Sequence, residues 1–274
     1  MKSLLFQIKS QLNQREFKVT FALLYVLSIG AVVWNCVKYY SVNYMEIRSA
    51  ADNFLLVSTV SRPIKMIFTL VFPLLSATLY SGYRKNNEKN GNGLFSLLRM
   101  NRNKYIIGNA IVVTVMTFLS LFGALMLNQL LCCIAFPIDG YDNNFGIPQY
   151  ALAMNYDKGL LLEFWQMQNP YIYNLLYALI VSILGSGIGL VAYGLGLVDK
   201  FEKIKAINIS IVVFVFFILL MILGQFADIQ MLSFLTYIET GHRVGLSEYL
   251  AFVLVIYAMG IVLTIKGSKK YEYI

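Results

Sequence analysis

The chain has 274 residues, of which 58% are hydrophobic and 13% charged, and its formal net charge at pH 7 is +8. This small number of charged residues cannot cover the surface of a water-soluble fold. The composition therefore excludes a water-soluble protein and indicates an integral membrane protein. The positive charge does not imply a nucleic-acid partner, because it lies beside the apolar segments, where membrane proteins carry it.

The N-terminal segment has an apolar face. Leu4, Leu5, Ile8 and Leu12 fall within about 100° of one another on a helix of 3.6 residues per turn. This pattern predicts an interfacial helix that lies flat on the inner leaflet before the first span. The alternative is a short cytosolic lead.

Six apolar windows are long enough to cross a membrane. Crossing the hydrocarbon layer takes about 20 mostly apolar residues, and apolar runs without period-two alternation favour helices over barrel strands. We predict an all-α integral membrane protein with six transmembrane helices in a single domain, residues 1–274. The predicted spans are residues 19–37, 63–81, 106–130, 171–198, 207–227 and 249–265. The second helix could also begin before Pro63, in the apolar run 54–60.

The distribution of basic residues predicts the orientation. Sixteen of the 22 Lys and Arg residues fall in the terminal segments and in two of the loops, residues 1–18, 81–105, 199–205 and 266–274. Since basic residues are retained on the cytoplasmic side, we expect both termini in the cytoplasm. The abundance of Ile, Asn, Lys and Tyr suggests a bacterium with an AT-rich genome, and hence a bacterial plasma membrane.

The sequence offers little chemistry of its own. It lacks a phosphate loop ending in Gly-Lys-Ser/Thr, and His242 is its only histidine, so we expect no catalytic residue, no bound cofactor and no metal. Gly185 and Gly189 lie inside an apolar span, where the small residues indicate close helix packing rather than a dinucleotide loop. Of the three cysteines, Cys132 and Cys133 are adjacent; buried apolar packing is the expected role, and a bridge to Cys36 stays open.

The predicted span cores contain no residue that could carry a proton. Taken from Met66 onward in the second span, these cores lack Asp, Glu, Lys and Arg, so a proton relay is not predicted, and the energy for any transport must come from a separate subunit. The polar side chains in and next to the spans include amides that could form hydrogen bonds between helices: Asn109, Asn128, Gln129, Asn174, Asn208 and Gln225.

The loop between spans 2 and 3 is basic and rich in turn residues. In order, it contains Glu88, the pair Gly91-Asn92, the pair Leu97-Leu98, and a basic turn from Arg102 to Lys104 that leads into Tyr105. Together with six spans, both ends inside and an interfacial lead helix, this order resembles the ABC-2 family, the permease subunits of ATP-binding-cassette exporters.

The same loop has the features of a docking element. Leu94, Phe95, Leu97 and Leu98 are predicted to form one short apolar helix, and Gly91 and Gly93 before it would allow the backbone to turn. We expect this cytoplasmic coupling helix to enter a groove on a partner, with a basic rim of Arg84, Lys85, Arg99, Arg102 and Lys104. The alternative is that the loop rests on the anionic inner leaflet.

The resemblance implies partners as well as a fold. It implies a cytoplasmic ATP-binding-cassette subunit that holds ATP and Mg, docked at Glu88, Gly91, Gly93, Leu94, Phe95, Leu97, Leu98, Arg99 and Arg102, and a second permease copy or a paralogue in the membrane. The chain would then be a non-enzymatic exporter subunit in contact with membrane lipid and with a hydrophobic or amphipathic substrate. An amphipathic peptide or antimicrobial is the expected cargo, and a non-transporting binding, sensor or immunity protein is the alternative.

Overall fold

The computed structural model describes residues 7–9, 11–43, 47–81, 102–138, 159–198, 206–227 and 229–269. In these ranges six helices are long and apolar enough to cross a membrane, as predicted, and there is no strand. We number them α1 to α6: Arg15–Lys38, Arg62–Ser81, Arg102–Ala135, Pro170–Leu197, Ala206–Phe226 and Leu246–Lys269. Shorter helical pieces are Glu163–Gln168, Gln230–Leu232 and Leu235–Ile238.

Helix α4 is the centre of the bundle. It packs against α2, α3, α5 and α6, while α1 packs against α2 and α3. In α4, 78% of the most apolar stretch is buried within the protein, compared with 28–44% in the other five helices. A helix that is apolar all round is suited to this central position.

Glycines on α4 allow its neighbours to approach closely. A Cβ atom at Gly185 would overlap Leu121 of α3 and lie 2.9 Å from Cζ of Phe72 of α2. At Gly194, a Cβ atom would lie 2.9 Å from the backbone oxygen of Gly260 of α6. These contacts confirm the packing interpretation of the glycines and explain how three helices fit against one.

The start of α4 follows from its local sequence. The Asn169 side chain accepts the backbone N–H groups of Tyr171 and Ile172 at 3.0 and 3.2 Å, and Pro170 occupies the first helical position. An asparagine cap followed by proline is a strong helix start, because the cap satisfies free N–H groups and proline has none to satisfy.

The connection between α1 and α2 corrects one alternative from the sequence. Helix α2 begins at Arg62, and residues 54–60 form turns and bends instead of extending it. Residues 49–58, which we call the buried segment, are all buried although none is helical. Phe54, Leu55 and Leu56 are fully buried and belong to the main hydrophobic core, so this apolar run packs between spans instead of forming one.

The lead segment turns a polar side toward the bundle. Residues 7–9 and 11–12 are helical, Gln7 and Gln11 are 2% and 0% exposed, and Gln11 Nε2 donates to Leu79 O at 3.4 Å. Ile8 is half-buried and Leu12 is 43% exposed. Leu4 and Leu5 lie outside the described residues, so the interfacial position of this helix stays a prediction.

Candidate functional site

Four side-chain amides hold the buried segment in place, and we call them the amide network: Asn35 of α1, Asn128 and Gln129 of α3, and Asn174 of α4. Asn128 has a central position among them. Its Oδ1 accepts the backbone N–H of Leu55 at 2.8 Å, and its Nδ2 donates to Ser28 O of α1 at 2.7 Å. One side chain therefore joins α3 to α1 and to the buried segment.

Asn174 and Gln129 also bind the buried segment. Asn174 Nδ2 donates to both Ala51 O and Gln129 Oε1 at 2.8 Å. Gln129 Nε2 in turn donates to Ala50 O at 3.3 Å. The two amides thus form a chain of hydrogen bonds that links α4, α3 and the backbone of the segment.

Asn35 and Lys65 make two further contacts with the buried segment. Asn35 Nδ2 donates to Asn53 O at 3.1 Å, and Lys65 Nζ donates to Leu56 O at 3.1 Å. Lys65 lies in the first turn of α2, and its ammonium group forms this hydrogen bond within the protein. Four helices therefore satisfy the carbonyls of one non-helical stretch.

The amide network explains how an irregular backbone can lie among transmembrane helices. Away from water, each unpaired backbone group costs free energy, so irregular segments occur at membrane depth only where protein groups satisfy them. Asn128, Gln129 and Asn174 were predicted to bond between helices, and they bond to the buried segment as well. Asn109 is buried with Oδ1 unpaired, while Asn208 and Gln225 are exposed.

A small charged group lies near the same end of the bundle. His242 Nε2 lies 3.6 Å from Glu239 Oε2. The pKa of Glu239 is lowered, mostly by this polar contact with His242 and further by the positive charges of Lys65 and Arg62, while partial burial opposes the shift. Glu239 is therefore held in its ionised form.

A second feature is a groove between α3 and α6, with α4 as its floor. Both helices pack along α4 but have little contact with each other. The resulting cavity has a volume of about 450 Å³. Its walls include Ile107, Ile111 and Val115 of α3 and Tyr257 and Ile261 of α6, with Leu190 of α4 at the bottom. We call this feature the lateral groove.

The hydroxyl groups in the lateral groove are already bonded within the protein. Thr114 Oγ1 donates to Ala110 O at 3.0 Å, and Thr264 Oγ1 donates to Gly260 O at 2.8 Å. The hydroxyls of Tyr257 and Ser186 share a hydrogen bond of 2.6 Å. The groove therefore presents a surface suited to a ligand portion without polar atoms.

The predicted docking residues fall almost entirely outside the described residues. This applies to Glu88, Gly91, Gly93, Leu94, Phe95, Leu97, Leu98 and Arg99, so the coupling helix is still a prediction. Arg102 is the first residue of α3.

The three cysteines are free thiols. Cys132 is buried, with Sγ 3.3 Å from Asn53 O, and thus fits the expected packing role. Cys36 is exposed, so that role is wrong for it, and Cys133 is partly buried.

The sequence-based reasoning missed two groups of buried polar residues. The buried segment contains Asp52, a buried carboxylate that acts electrostatically on Tyr39, in the stretch between the first two predicted spans. Gln7, Gln11 and Gln14 are all buried, and their spacing of four and three residues was a visible sign of one helix face. Among the described residues, no group of three or more His, Cys, Asp or Glu could hold a metal ion.

Neither protein-family models nor curated proteins provide a match to this chain. Any functional assignment therefore depends on the residues and contacts described above.

Proposed function

We propose that the chain is the permease subunit of an ATP-binding-cassette exporter of the ABC-2 type. It would move a hydrophobic or amphipathic substrate, with an amphipathic peptide or antimicrobial as the preferred cargo, out of a bacterial cell. ATP hydrolysis would take place on a separate cytoplasmic subunit, docked on residues 88–102.

The observation that carries this proposal is the position of the charged residues in the six long helices. They occur only in first or last turns, for example Lys18 of α1, Lys65 of α2 and Lys266 of α6. Transport driven by protons or cations normally uses a titratable group in the middle of a span. The absence of such a group from the middle of these helices favours transport driven by a separate ATPase subunit over transport driven by an ion gradient.

The amide network supports the need for a second membrane subunit. The buried segment fills the space between α1, α2, α3 and α4 at one end of the bundle, and hydrogen bonds fix it there. A substrate would then cross more easily along the outside of this bundle than through it. We therefore place the pathway at the contact with a second copy or a paralogue.

Co-purification with the ATPase tests the proposal. The tagged chain is expressed in its native host, and captured proteins are examined for an ATP-binding-cassette subunit. Leu97→Asp and Phe95→Asp should reduce capture by orders of magnitude, because burying a lone carboxylate at a contact costs several kcal/mol. Arg84→Ala is the matched control, since an exposed ion pair contributes only about 0–1 kcal/mol.

The outcomes separate the proposal from its alternative. Loss of the ATPase from the two Asp variants, with membrane insertion intact, supports the coupling role. Full capture by both Asp variants contradicts that role, and binding of an antimicrobial without any ATPase favours an immunity or sensor protein.

A further inference from the structure

The lateral groove ends beside exposed positive charge. Lys104 is exposed and lies three and seven residues before Ile107 and Ile111, on the same face of α3. Helix α6 reaches the same end of the groove with Ile265, and the exposed Lys266 follows it directly. Helix α3 contains no Asp or Glu, and the only acid in α6 is Glu248 near its other end.

We propose that the lateral groove holds one acyl chain of a membrane phospholipid whose anionic headgroup lies beside Lys104 and Lys266. In the predicted topology this is a lipid of the cytoplasmic leaflet. The proposal does not depend on transport and applies equally if the chain is a binding protein.

The dimensions of the groove fit one leaflet. From Ile107 to Val115, α3 rises about 12 Å at 1.5 Å per residue, and Tyr257 to Ile265 covers the same length on α6. Half of the hydrocarbon layer is about 15 Å thick. An acyl chain that enters beside Lys104 would therefore follow the groove for most of its depth.

The chemistry of the walls selects the tail, and the lysines select the headgroup. The hydroxyls of Thr114, Thr264 and Tyr257 are hydrogen-bonded within the protein. The groove therefore favours binding of an alkyl chain over binding of a polar chain. Lysine side chains attract anionic lipid headgroups. Two lysines at one end of the lateral groove therefore favour an anionic headgroup over a zwitterionic one.

A second copy of the chain fits this surface poorly. In a two-fold symmetric contact about an axis normal to the membrane, residues at the same depth meet each other. Lys104 and Lys266 of one copy would then approach the same lysines of the other, and like charges repel. The groove is also concave, so two copies would leave a space between them.

Lipid binding to the purified full-length chain tests the proposal. The delipidated protein in neutral detergent is titrated with phosphatidylglycerol or with phosphatidylcholine, and bound lipids are counted by native mass spectrometry. We expect phosphatidylglycerol to bind more tightly, and Lys104→Gln to weaken it about fivefold while leaving phosphatidylcholine unchanged. Lys104→Arg should keep the preference.

A pair of tryptophan variants tests the groove itself. Ile111→Trp fills it, whereas Leu119→Trp places the same ring elsewhere on α3 at a residue of equal exposure, 52% compared with 51%. Only Ile111→Trp should reduce binding of both lipids. Equal affinity for the two lipids in the unmodified chain, or equal behaviour of the two Trp variants, would overturn the proposal. If Ile111→Trp fails to fold, the Lys104→Gln result tests the proposal by itself, because the Lys104 side chain is exposed and its replacement should leave the fold intact.

Discussion

Asn128 of α3 accepts the backbone N–H of Leu55 at 2.8 Å, although the two residues are 73 positions apart in the chain. The same side chain donates to Ser28 O of α1. Leu55 has no helical partner for its N–H group, because the buried segment is irregular. The position of the whole segment therefore depends on a few amides that come from later parts of the chain.

Asn128→Leu should destabilise the protein by about 2–4 kcal/mol, since it leaves the Leu55 N–H and the Ser28 carbonyl buried without this partner. Thermal or denaturant unfolding in detergent measures the effect. Asn208→Leu is the matched control, because Asn208 is exposed on α5 and should tolerate the change within about 0.5 kcal/mol. Equal stability of the two variants would mean that the amide network does not hold the fold.

Gly185→Ala tests the packing around α4. The new methyl group would overlap Leu121 and crowd Phe72, and overpacking of this kind costs about 1–3 kcal/mol. Gly30→Ala in α1 is the control, because nothing lies within 4 Å of its added Cβ atom and alanine favours the helix. The same unfolding assay applies, and a neutral Gly185→Ala would show that α4 can move away from α2 and α3.

Glu239→Gln should change how stability depends on pH. The pKa of Glu239 is lower in the folded protein than its usual value of 4.5, chiefly through His242, so the ionised carboxylate stabilises the fold. This contribution is fully present above that usual value and is lost as the pH falls through the lower folded-state pKa.

Melting temperatures across the acidic range measure this dependence. The difference between the unmodified chain and Glu239→Gln should be largest near neutral pH and shrink on acidification, and His242→Gln should reduce it. A difference that is constant or grows on acidification would contradict the assignment.

The orientation can be tested with single cysteines in a background of Cys36→Ser, Cys132→Ala and Cys133→Ala. His242 lies before α6 and Lys266 lies in its last turn, so the two positions are at opposite ends of one span. We expect an impermeant thiol reagent to label His242→Cys in intact cells and to label Lys266→Cys only after lysis. The reverse result would invert the predicted topology.

The six spans could be predicted because each depends on a local property, a long apolar run. Asn128 and Asn174 could also be recognised, since an amide inside such a run needs a partner. The partners themselves could not be predicted, because Asn174 bonds to Ala51, 123 residues away. The lateral groove was equally hidden, since it exists only because α3 and α6 both pack on α4 while having little contact with each other.

The buried segment shows where pattern reading fails. Its sequence from Ser49 to Ser58 combines small, polar and apolar residues, which is typical of a loop that leads into a helix. Burial of Asp52 and Asn53 depends on contacts with distant helices and leaves no local signal. The Lys65 bond to Leu56 was missed for a different reason, because a lysine next to a span is usually expected to reach water.

Transport in reconstituted vesicles tests the proposed function most directly. The chain and the ATPase that it captures are placed in proteoliposomes, and movement of a labelled amphipathic peptide is followed with Mg-ATP or with an imposed pH step. We expect movement that requires both proteins and ATP hydrolysis and that does not respond to the pH step. Movement driven by the pH step, in vesicles that contain this chain without an ATPase, would contradict the assignment as an ATP-driven permease.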